Sequence, residues 1–226
     1  MVKFEKVTKK FGDIVALRAV SFEIEPGEFV FITGPSGAGK TTIVKLILKE
    51  ILPSEGKIEI DGTNLSEISS GELPKLRQKI GVVFQDFKLL LDRTVFENVA
   101  LALEVTKKDR KEIEKKTREV LELVGLADRE NLFPLQLAGG ELQRTCLARA
   151  VVSNPKILIA DEPTGNLDPS TSWQIVKLLK KINKMGTTVL MATHNVDIVD
   201  SMKERVIKLD KGEVIKDQTG GKYEPV

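Results

Sequence analysis

The sequence predicts an α/β fold with a mainly parallel core sheet, an antiparallel β part at the N-terminus and an inserted α-helical subdomain. Strands and helices alternate in the last third of the chain, which is typical of a parallel sheet with helices on both faces. Residues 2–24 have the β-prone alternation of an antiparallel pair, whereas residues 87–138 follow a helical pattern. A chain of 226 residues has room for one domain with an insertion.

The individual elements follow from local patterns in chain order. Before the helical segment, strands are predicted over residues 2–7, 15–24, 28–33 and 57–60, with a helix over 41–50 and turns at Gly12-Asp13, Pro26-Gly27 and Asp61-Gly62. After it, strands are predicted over 156–160, 187–192 and 205–209, and helices after Gly140, Pro169 and Asn195. We therefore expect a core formed by residues 1–86 and 139–226, a helical subdomain over 87–138 and a loose C-terminal tail over 218–226.

The helical segment contains its own start signal. Thr94 and Glu97 have the spacing of a capping box, in which each side chain accepts a hydrogen bond from the other residue's backbone N–H. Residues 107–118 are dense in charge and contain acidic and basic residues paired four positions apart, which favours a solvated helix face. A basic contact to lipid headgroups is the alternative for this stretch.

Composition excludes several classes of function. Lys and Arg number 35 against 33 Asp and Glu, so the chain lacks the basic excess of a nucleic-acid-binding protein. The single cysteine, Cys146, excludes a disulfide framework and a Cys-based zinc site, and the single histidine, His194, excludes a multi-histidine metal site. No apolar run approaches the length of a membrane span and no signal peptide is visible, so we expect a cytoplasmic protein.

The clearest motif is Gly-Pro-Ser-Gly-Ala-Gly-Lys-Thr at residues 34–41, which matches the phosphate-binding pattern G-x-x-x-x-G-K-[ST] (Walker A) between a predicted strand and a predicted helix. Its glycines allow backbone N–H groups to surround phosphate oxygens at a helix N-terminus. Lys40 would supply a charge to the β- and γ-phosphates of a nucleotide, and the Thr41 hydroxyl would bind Mg²⁺. The predicted nucleotide-binding residues here are Gly34, Pro35, Ser36, Gly37, Ala38, Gly39, Lys40, Thr41 and Thr42.

Two carboxylates follow a second apolar strand. Asp161 and Glu162 come directly after Ile-Leu-Ile-Ala, at the carboxyl end of a predicted strand, where ligands bind in open α/β sheets. Asp161 suits the Mg²⁺ shell, and Glu162 suits a base that orients or deprotonates the attacking water. The two motifs together predict an enzyme that hydrolyses a nucleoside triphosphate.

Five further landmarks accompany the two motifs. They are Phe11, Gln85, Leu137-Ala138-Gly139-Gly140-Glu141, Asn166-Leu167-Asp168 and His194. In this order they resemble an ATP-binding-cassette (ABC) ATPase, a P-loop NTPase, over nearly the whole chain. The resemblance implies that Phe11 stacks on adenine, that Gln85 attends Mg²⁺ and the attacking water, and that His194 contacts the γ-phosphate.

The same resemblance assigns residues 137–141 to the signature loop and residues 166–168 to the D-loop, and it places Asp168 at the nucleotide. Simpler interpretations stay open for three positions. Phe11 could belong to the core, Gln85 could be a surface residue after a strand, and Asp168 before Pro169 could cap a helix.

The resemblance also implies a homodimer. Gly139 and Gly140 open a helix whose N–H groups form an anion site, and in the family this site serves the γ-phosphate that the opposite subunit binds. Two chains would therefore sandwich two ATP molecules head to tail. In this chain Ala138 replaces the serine that is usual in the loop, and Glu141 replaces the usual glutamine. Because alanine has no hydroxyl to donate to the γ-phosphate, we expect ATP-driven dimerisation to be weaker than with serine.

Segments outside the ATP site resemble the bacterial cell-division branch of this family. They include residues 84–90, 92–100, 166–172 and 189–195. In that branch the ATPase pairs with an integral membrane protein, drives a conformational change in it and so regulates cell-wall hydrolases. The apolar residues Phe87, Leu89, Leu90 and Leu91 are the expected contact with this partner, with a local core as the alternative. The partner would hold the chain on the cytoplasmic face of the membrane.

Two other functions remain open from the sequence. One is the ATPase of a lipoprotein-extraction or macrolide-export transporter, and the other is a regulatory module that dimerises on ATP but hardly hydrolyses it. The stretch 92–94 and Glu141 favour the cell-division branch over a transporter. Glu162 and His194 argue against a purely regulatory module.

Overall fold

The computed structural model describes residues 1–106 and 108–223. In chain order the strands are β1 (Val2–Phe11), β2 (Ile14–Ile24), β3 (Phe29–Thr33), β4 (Glu55–Ile60), β5 (Thr63–Asn64), β6 (Ile80–Val83), β7 (Ile157–Asp161), β8 (Thr188–Ala192), β9 (Arg205–Asp210) and β10 (Glu213–Gln218). The helices are α1 (Lys40–Ile47), α2 (Leu73–Gln78), α3 (Val95–Glu104), α4 (Arg110–Leu123), α5 (Gly139–Val151), α6 (Pro169–Lys184) and α7 (Val196–Met202), with 3₁₀ turns at Ala127–Arg129 and Pro134–Gln136.

Contacts within the chain define two compact units. Unit 1 contains Met1–Arg77 and the described residues from Thr188 onward, and unit 2 contains Gln78–Thr187. The predicted helical subdomain, residues 87–138, lies inside unit 2 and contains α3 and α4. No helix among the described residues is long and apolar enough to cross a membrane.

The antiparallel part lies in unit 1, in the strand order β2-β1-β4-β5. Val2 pairs with Ile24 on one side and with Ile60 on the other, so apolar side chains of three strands share one buried face. The rings of Phe4 and Phe22 stack on this face with their centroids 4.5 Å apart. The prediction of an antiparallel N-terminal pair is confirmed, with both strands longer than expected.

Unit 1 also contains four strands in the order β10-β9-β3-β8. Strand β3 runs parallel to both β8 and β9, and all five of its residues are buried. Parallel strands covered on both faces have this uniformly apolar composition, which is why the sequence predicted β3 and β8 well. Strand β10 returns antiparallel to β9.

In unit 2, strands β6 and β7 pair in parallel, and helices pack against them. Helix α5 lies so close to β6 that a Cβ on Gly81 would come within 2.2 Å of the Ala150 carbonyl oxygen. Helices α3, α4 and α5 enclose an apolar cluster formed by Val95, Val99, Leu103, Leu121, Val124, Leu126, Ala148 and Val152.

The capping box that the sequence predicts at the start of α3 is present. The Glu97 N–H donates to Thr94 Oγ1 at 3.2 Å, and the Thr94 N–H donates to Glu97 Oε2 at 2.8 Å. Along α4, Lys116 pairs with Glu112 at 3.2 Å, as the charge spacing predicts. Paired charges on an exposed helix face fit the solvated-face interpretation of this stretch.

The sequence does not predict α2, β5 or β10. The first two are short, and β10 alternates between exposed and half-buried residues with little apolar signal. Helix α1 ends at Ile47, before the predicted end at residue 50, because Lys49 takes a left-handed φ of +49° that stops the helix.

The segment predicted as a loose tail is held by hydrogen bonds over its described part. Strand β10 extends to Gln218, the Gly221 N–H donates to the Glu204 carbonyl at 3.2 Å, and the Tyr223 N–H donates to the Asp200 carboxylate. Residues 224–226 of the predicted tail lie outside the described residues.

Candidate functional site

The loop after β3 needs glycine at two positions. Gly34 has a φ of +146°, and a Cβ there would lie 2.3 Å from the Leu209 carbonyl oxygen. Gly39 has a φ of +109°, and a Cβ there would lie 2.6 Å from Leu17 Cδ2. Any L-side chain would therefore be strained and would also clash at both positions. The backbone of this loop is free to curve around a ligand because its side chains are absent where the chain turns.

Lys40, the first residue of α1, lies folded over the loop. Its Nζ donates to the Gly34 carbonyl at 2.7 Å and to the Pro35 carbonyl at 3.1 Å, and the residue is only 8% exposed. Helix α1 has no acidic residue in its first turn, so the partial positive charge of its N-terminus is not offset there. Thr41 is exposed and Thr42 half-buried in the same turn. This arrangement has the charge and the donors of an anion site.

The single histidine lies at the same edge of the sheet as this loop. Strand β8 pairs with β3 in parallel with Ala192 opposite Ile32, and the Thr193 N–H donates to the Ile32 carbonyl at 3.1 Å. His194 is the next residue and is exposed. Asn195 then caps α7 by accepting the Ile198 N–H at 3.1 Å, so both residues flanking His194 are fixed in position.

Phe11 ends β1 and is 47% exposed, so the alternative in which it belongs to the core is wrong. Lys9 Nζ lies 4.9 Å from the centre of its ring. Strand β2, which pairs with β1, contacts the phosphate loop through Leu17, as the close approach to Gly39 requires. An accessible aromatic ring on this hairpin is available for stacking.

In unit 2, Gln85 follows β6, and Asp161 and Glu162 lie at the end of the neighbouring parallel strand β7. All three are therefore at the same edge of the sheet. Val83 of β6 pairs with Ala160 of β7, so Gln85 and Glu162 each follow two residues later. Asp161 ends β7 and is half-buried, and Glu162 has a left-handed φ of +48°. A non-glycine residue in this conformation stores strain, which is common at functional positions.

The turn after Glu162 touches Gln85 from two sides. A Cβ on Gly165 would lie 3.5 Å from the Glu162 carbonyl oxygen and 3.6 Å from Gln85 Nε2. Asn166 Nδ2 donates to the Gln85 carbonyl at 3.4 Å. Gln85 is exposed, which confirms that it lies at the surface after a strand. Its backbone and side chain nevertheless contact residues of the D-loop and the turn before it.

The signature loop forms the N-terminus of α5, with Ala138 at the N-cap and Gly139 as the first helical residue. Alanine has no oxygen to cap the helix, and only the reverse half of the capping box is present: the Ala138 N–H donates to Glu141 Oε2 at 2.9 Å. Arg129 Nε contacts Glu141 Oε1 at 3.0 Å. The Ala138 N–H, followed by the Arg129 guanidinium, lowers the pKa of Glu141.

The signature loop and the D-loop pack against each other. A Cβ on Gly140 would lie 2.5 Å from Thr171 Cγ2, and a Cβ on Gly139 would lie 3.5 Å from Leu167 Cδ2. Asp168 Oδ1 accepts the Thr171 N–H at 3.0 Å, and its hydrogen bonds to Thr171 lower the pKa of Asp168. The helix-capping role of Asp168 is therefore confirmed.

The predicted partner surface is only partly exposed. Leu90 and Leu91 are 42% and 58% exposed, whereas Phe87 and Leu89 are half-buried. The fully buried Asn98 fixes this segment, because its Oδ1 accepts the Leu90 N–H at 2.8 Å and its Nδ2 donates to the Leu90 carbonyl at 2.9 Å. Sequence analysis missed Asn98, and a polar residue on the apolar face of α3 was the available signal.

Comparisons with known proteins agree with this geometry. The sequence pattern of the ABC transporter family matches residues 17–165. The chain is 51% identical over 224 residues to the cell division ATP-binding protein FtsE of Bacillus subtilis, covering 99% of this chain and 98% of that protein. It is 45% identical over 213 residues to FtsE of Escherichia coli, covering 94% and 96%.

Solved structures of ATP-binding cassettes have the same fold. The dimeric cassette MJ0796 bound to ADP and Pi superposes with a TM-score of 0.88 at 40% identity, covering 99% of this chain and all of that one. The cassette cbiO1 from Clostridium perfringens gives a TM-score of 0.90 at 32% identity, covering 97% and 88%. The predicted α/β fold is confirmed, and the chain belongs to the ABC transporter family as an ATP-hydrolysing cassette whose full-length relatives include the FtsE proteins.

Proposed function

We propose that this chain is the ATPase subunit of a membrane complex that acts in bacterial cell division, bound to an FtsX-like integral membrane protein. The observation that carries the proposal is the full-length similarity to FtsE proteins together with an intact phosphate loop. ATP hydrolysis would drive a conformational change in the membrane subunit and so regulate cell-wall hydrolases. The transporter alternative is less favoured, because the transporter cassette MJ0796 is 40% identical to this chain, whereas the two FtsE proteins are 51% and 45% identical.

In unit 1 the geometry of the loop supports the roles that we assign. The curved backbone of residues 34–39 and the N-terminus of α1 bind the phosphates, and Lys40 exchanges its contacts with Gly34 and Pro35 for the β- and γ-phosphate oxygens. His194 contacts the γ-phosphate from the adjacent strand end, and Phe11 stacks on the adenine. The phosphate-binding roles extend to Ser36, Gly37, Ala38 and Thr42.

The oxygen atoms of Thr41, Asp161 and Gln85 suit Mg²⁺, because this hard cation favours oxygen ligands and keeps several waters. Thr41 presents an exposed hydroxyl in the first turn of α1, and Asp161 presents a carboxylate at the end of β7. When bound, the ion neutralises charge on the β- and γ-phosphates. These three residues are the ones we assign to it.

Glu162 is the residue we assign to the attacking water. Its strained turn is fixed by the Gly165 N–H, which donates to the Glu162 carbonyl at 3.2 Å. A carboxylate held in this way would orient the water and accept its proton as the water oxygen bonds to the γ-phosphorus, while the bond from that phosphorus to the β–γ bridging oxygen breaks and ADP leaves. Gln85, which packs on the same turn, helps to position that water.

We propose that the active form is a head-to-tail homodimer with two ATP molecules. Each chain has one phosphate loop and one signature loop, and the related cassette MJ0796 was solved as a dimer. The Gly139 and Gly140 N–H groups would receive the γ-phosphate of the partner chain, with Ala138, Glu141 and Asp168 at the edge of the contact. Residues 87–91, through exposed Leu90 and Leu91, would bind the membrane subunit and hold the chain at the cytoplasmic face of the membrane.

The experiment that tests this function is purification of the Glu162→Gln chain from native membranes with ATP and Mg²⁺, followed by identification of the membrane protein that co-purifies. An FtsX-like protein with a large extracellular loop is the expected result. The matched control is Lys40→Ala, which should not bind ATP and should lose the ATP-dependent part of the recovery. A permease with a cargo cavity, or a soluble ATP-bound dimer without any partner, would contradict the proposal.

A further inference from the structure

The loop that follows Gln85 has an unusual backbone. Phe87 and Lys88 have φ values of +55° and +50°, so two consecutive residues with bulky side chains adopt the left-handed conformation that glycine favours. The Lys88 N–H donates to the Asp86 carbonyl at 2.6 Å, which is the i→i+2 hydrogen bond of a γ-turn. A γ-turn whose central residue has a positive φ is the rarer and more strained kind. Such a turn persists only where its surroundings hold it.

Helix α5, which begins at the signature loop, supplies the hydrogen-bond donors that hold the turn at Phe87 and Lys88. Arg149 Nη2 donates to the Phe87 carbonyl at 2.9 Å, and Arg149 Nη1 donates to the Lys88 carbonyl at 2.6 Å. Cys146, one turn earlier on the same helix, directs its Sγ to the Phe87 carbonyl at 3.1 Å. Burial raises the pKa of the Cys146 thiol to about 12, so it remains a protonated donor at neutral pH. The two strained carbonyl groups together receive three donors from one face of α5.

The chemistry of Arg149 matches this task. Its planar guanidinium has several N–H donors in a fixed fork, so it can reach two adjacent carbonyl groups at once, which a lysine ammonium on a flexible chain does less well. Arg149 is half-buried, and this partial burial lowers the pKa of its guanidinium. Both acceptors are backbone oxygens, so the contact depends on the path of the chain and not on the side chains of Phe87 and Lys88.

We propose that Arg149 is a positioning residue that holds the left-handed turn at Phe87 and Lys88 and thereby ties the signature helix to the loop between Gln85 and the partner-binding residues Leu90 and Leu91. The part that concerns catalysis and the partner rests on the proposed function. Arg149 touches neither nucleotide nor partner in this role. It acts by fixing the direction in which the chain leaves Gln85.

The test combines two substitutions. Arg149→Lys keeps the charge and removes the fork, so amide hydrogen exchange in residues 86–91 should accelerate by about tenfold and kcat for ATP hydrolysis should fall by about tenfold. ATP affinity should stay within about twofold, because the phosphate loop lies in the other unit. Lys88→Gly in the same chain should restore most of both losses, because glycine adopts a positive φ without strain.

Lys88→Ala is the matched control. It removes the same side chain, including the ammonium that lies 4.0 Å from the centre of the Phe84 ring, but it keeps the strained conformation. Rescue by glycine and not by alanine supports the proposal. Equal effects of glycine and alanine, or faster exchange spread over the whole of α5 without rescue, would mean that Arg149 is only a structural residue and would overturn it.

Two further outcomes are distinguishable. If the Arg149→Lys chain does not fold, recovery of folded protein by Lys88→Gly but not by Lys88→Ala supports the proposal, and recovery by neither refutes it. If the wild-type chain binds no ATP or recovers no membrane partner, the proposed function fails, while the hydrogen-exchange comparison still decides the role of Arg149.

Discussion

Replacing Ala138 by serine is the sharpest perturbation of the signature loop. Ala138 is the exposed N-cap of α5, with φ and ψ of −70° and 159°. Thr94, the N-cap of α3, has nearly the same backbone angles, −65° and 170°, and its hydroxyl accepts the N–H of Glu97, three residues later. A serine hydroxyl at position 138 would therefore reach the Glu141 N–H in the same way and complete the capping box that Glu141 already half forms.

The added hydroxyl should change both the stability of the folded chain and the affinity of the ATP-dependent dimer. Completing the cap contributes about 1 kcal/mol to the stability of the folded chain, which raises the melting temperature by about 2–4 °C for a protein of this size. The hydroxyl proton stays available to a phosphate, and a hydrogen bond to a charged group contributes about 1.5–3 kcal/mol. Even one such bond tightens an ATP-dependent dimer by about tenfold or more.

The assay is analytical ultracentrifugation of Ala138→Ser in the Glu162→Gln background, with and without ATP, beside a thermal melt. Ala138→Gly is the matched control, because it changes the same N-cap without adding a hydroxyl. We expect tighter dimerisation only with ATP and only in the serine variant. A serine variant that melts higher but dimerises no more tightly would refute the role of this position in binding the γ-phosphate of the partner chain.

Three further results are expected. Glu162→Gln should lower the single-turnover hydrolysis rate by about 10²–10⁴-fold while filter binding still detects bound ATP; retained turnover would place the base elsewhere. Gly34→Ala should abolish ATP binding measured by calorimetry, since its Cβ would lie 2.3 Å from the Leu209 carbonyl oxygen. The Ala138 N–H and Arg129 lower the pKa of Glu141, so its carboxylate contributes its full stabilisation above the ordinary glutamate pKa of about 4.3; a Glu141→Gln chain should melt earlier at pH 7, with the difference shrinking as the pH falls below that value and through the lowered pKa of the folded chain.

The sequence predicts the elements and motifs that depend on local composition. Strands β3, β7 and β8 are uninterrupted apolar runs, and the capping box of α3 is a four-residue pattern, so both are visible without tertiary information. Gly34 and Gly39 of the phosphate loop likewise mark positions where a side chain cannot fit. The roles assigned to the individual site residues stay predictions until the variants above are measured.

What the sequence could not predict depends on distant contacts. The left-handed turn at Phe87 and Lys88 contains no glycine or asparagine, the residues that would have indicated a positive φ in the sequence. The donors that stabilise it come from α5, about 60 residues away in the chain. The pairing of Arg129 with Glu141 spans a turn and a 3₁₀ segment, so no local sequence pattern indicates that a cation lies beside this acid.

In unit 2, contacts at the two ends of α5 link the D-loop region to the loop that follows Gln85. Thr171, beside the D-loop, packs against Gly140 at the start of α5, and Arg149 near the end of the same helix holds Phe87 and Lys88. Helix α5 has 13 residues, is about 20 Å long and packs closely on β6 through Ala150. A phosphate that draws the first turn of α5 toward it would therefore displace the loop that carries Leu90 and Leu91. Arg149→Lys releases one end of this helix while the other stays intact, so comparing it with the chain that also has Lys88→Gly measures the coupling between the two ends.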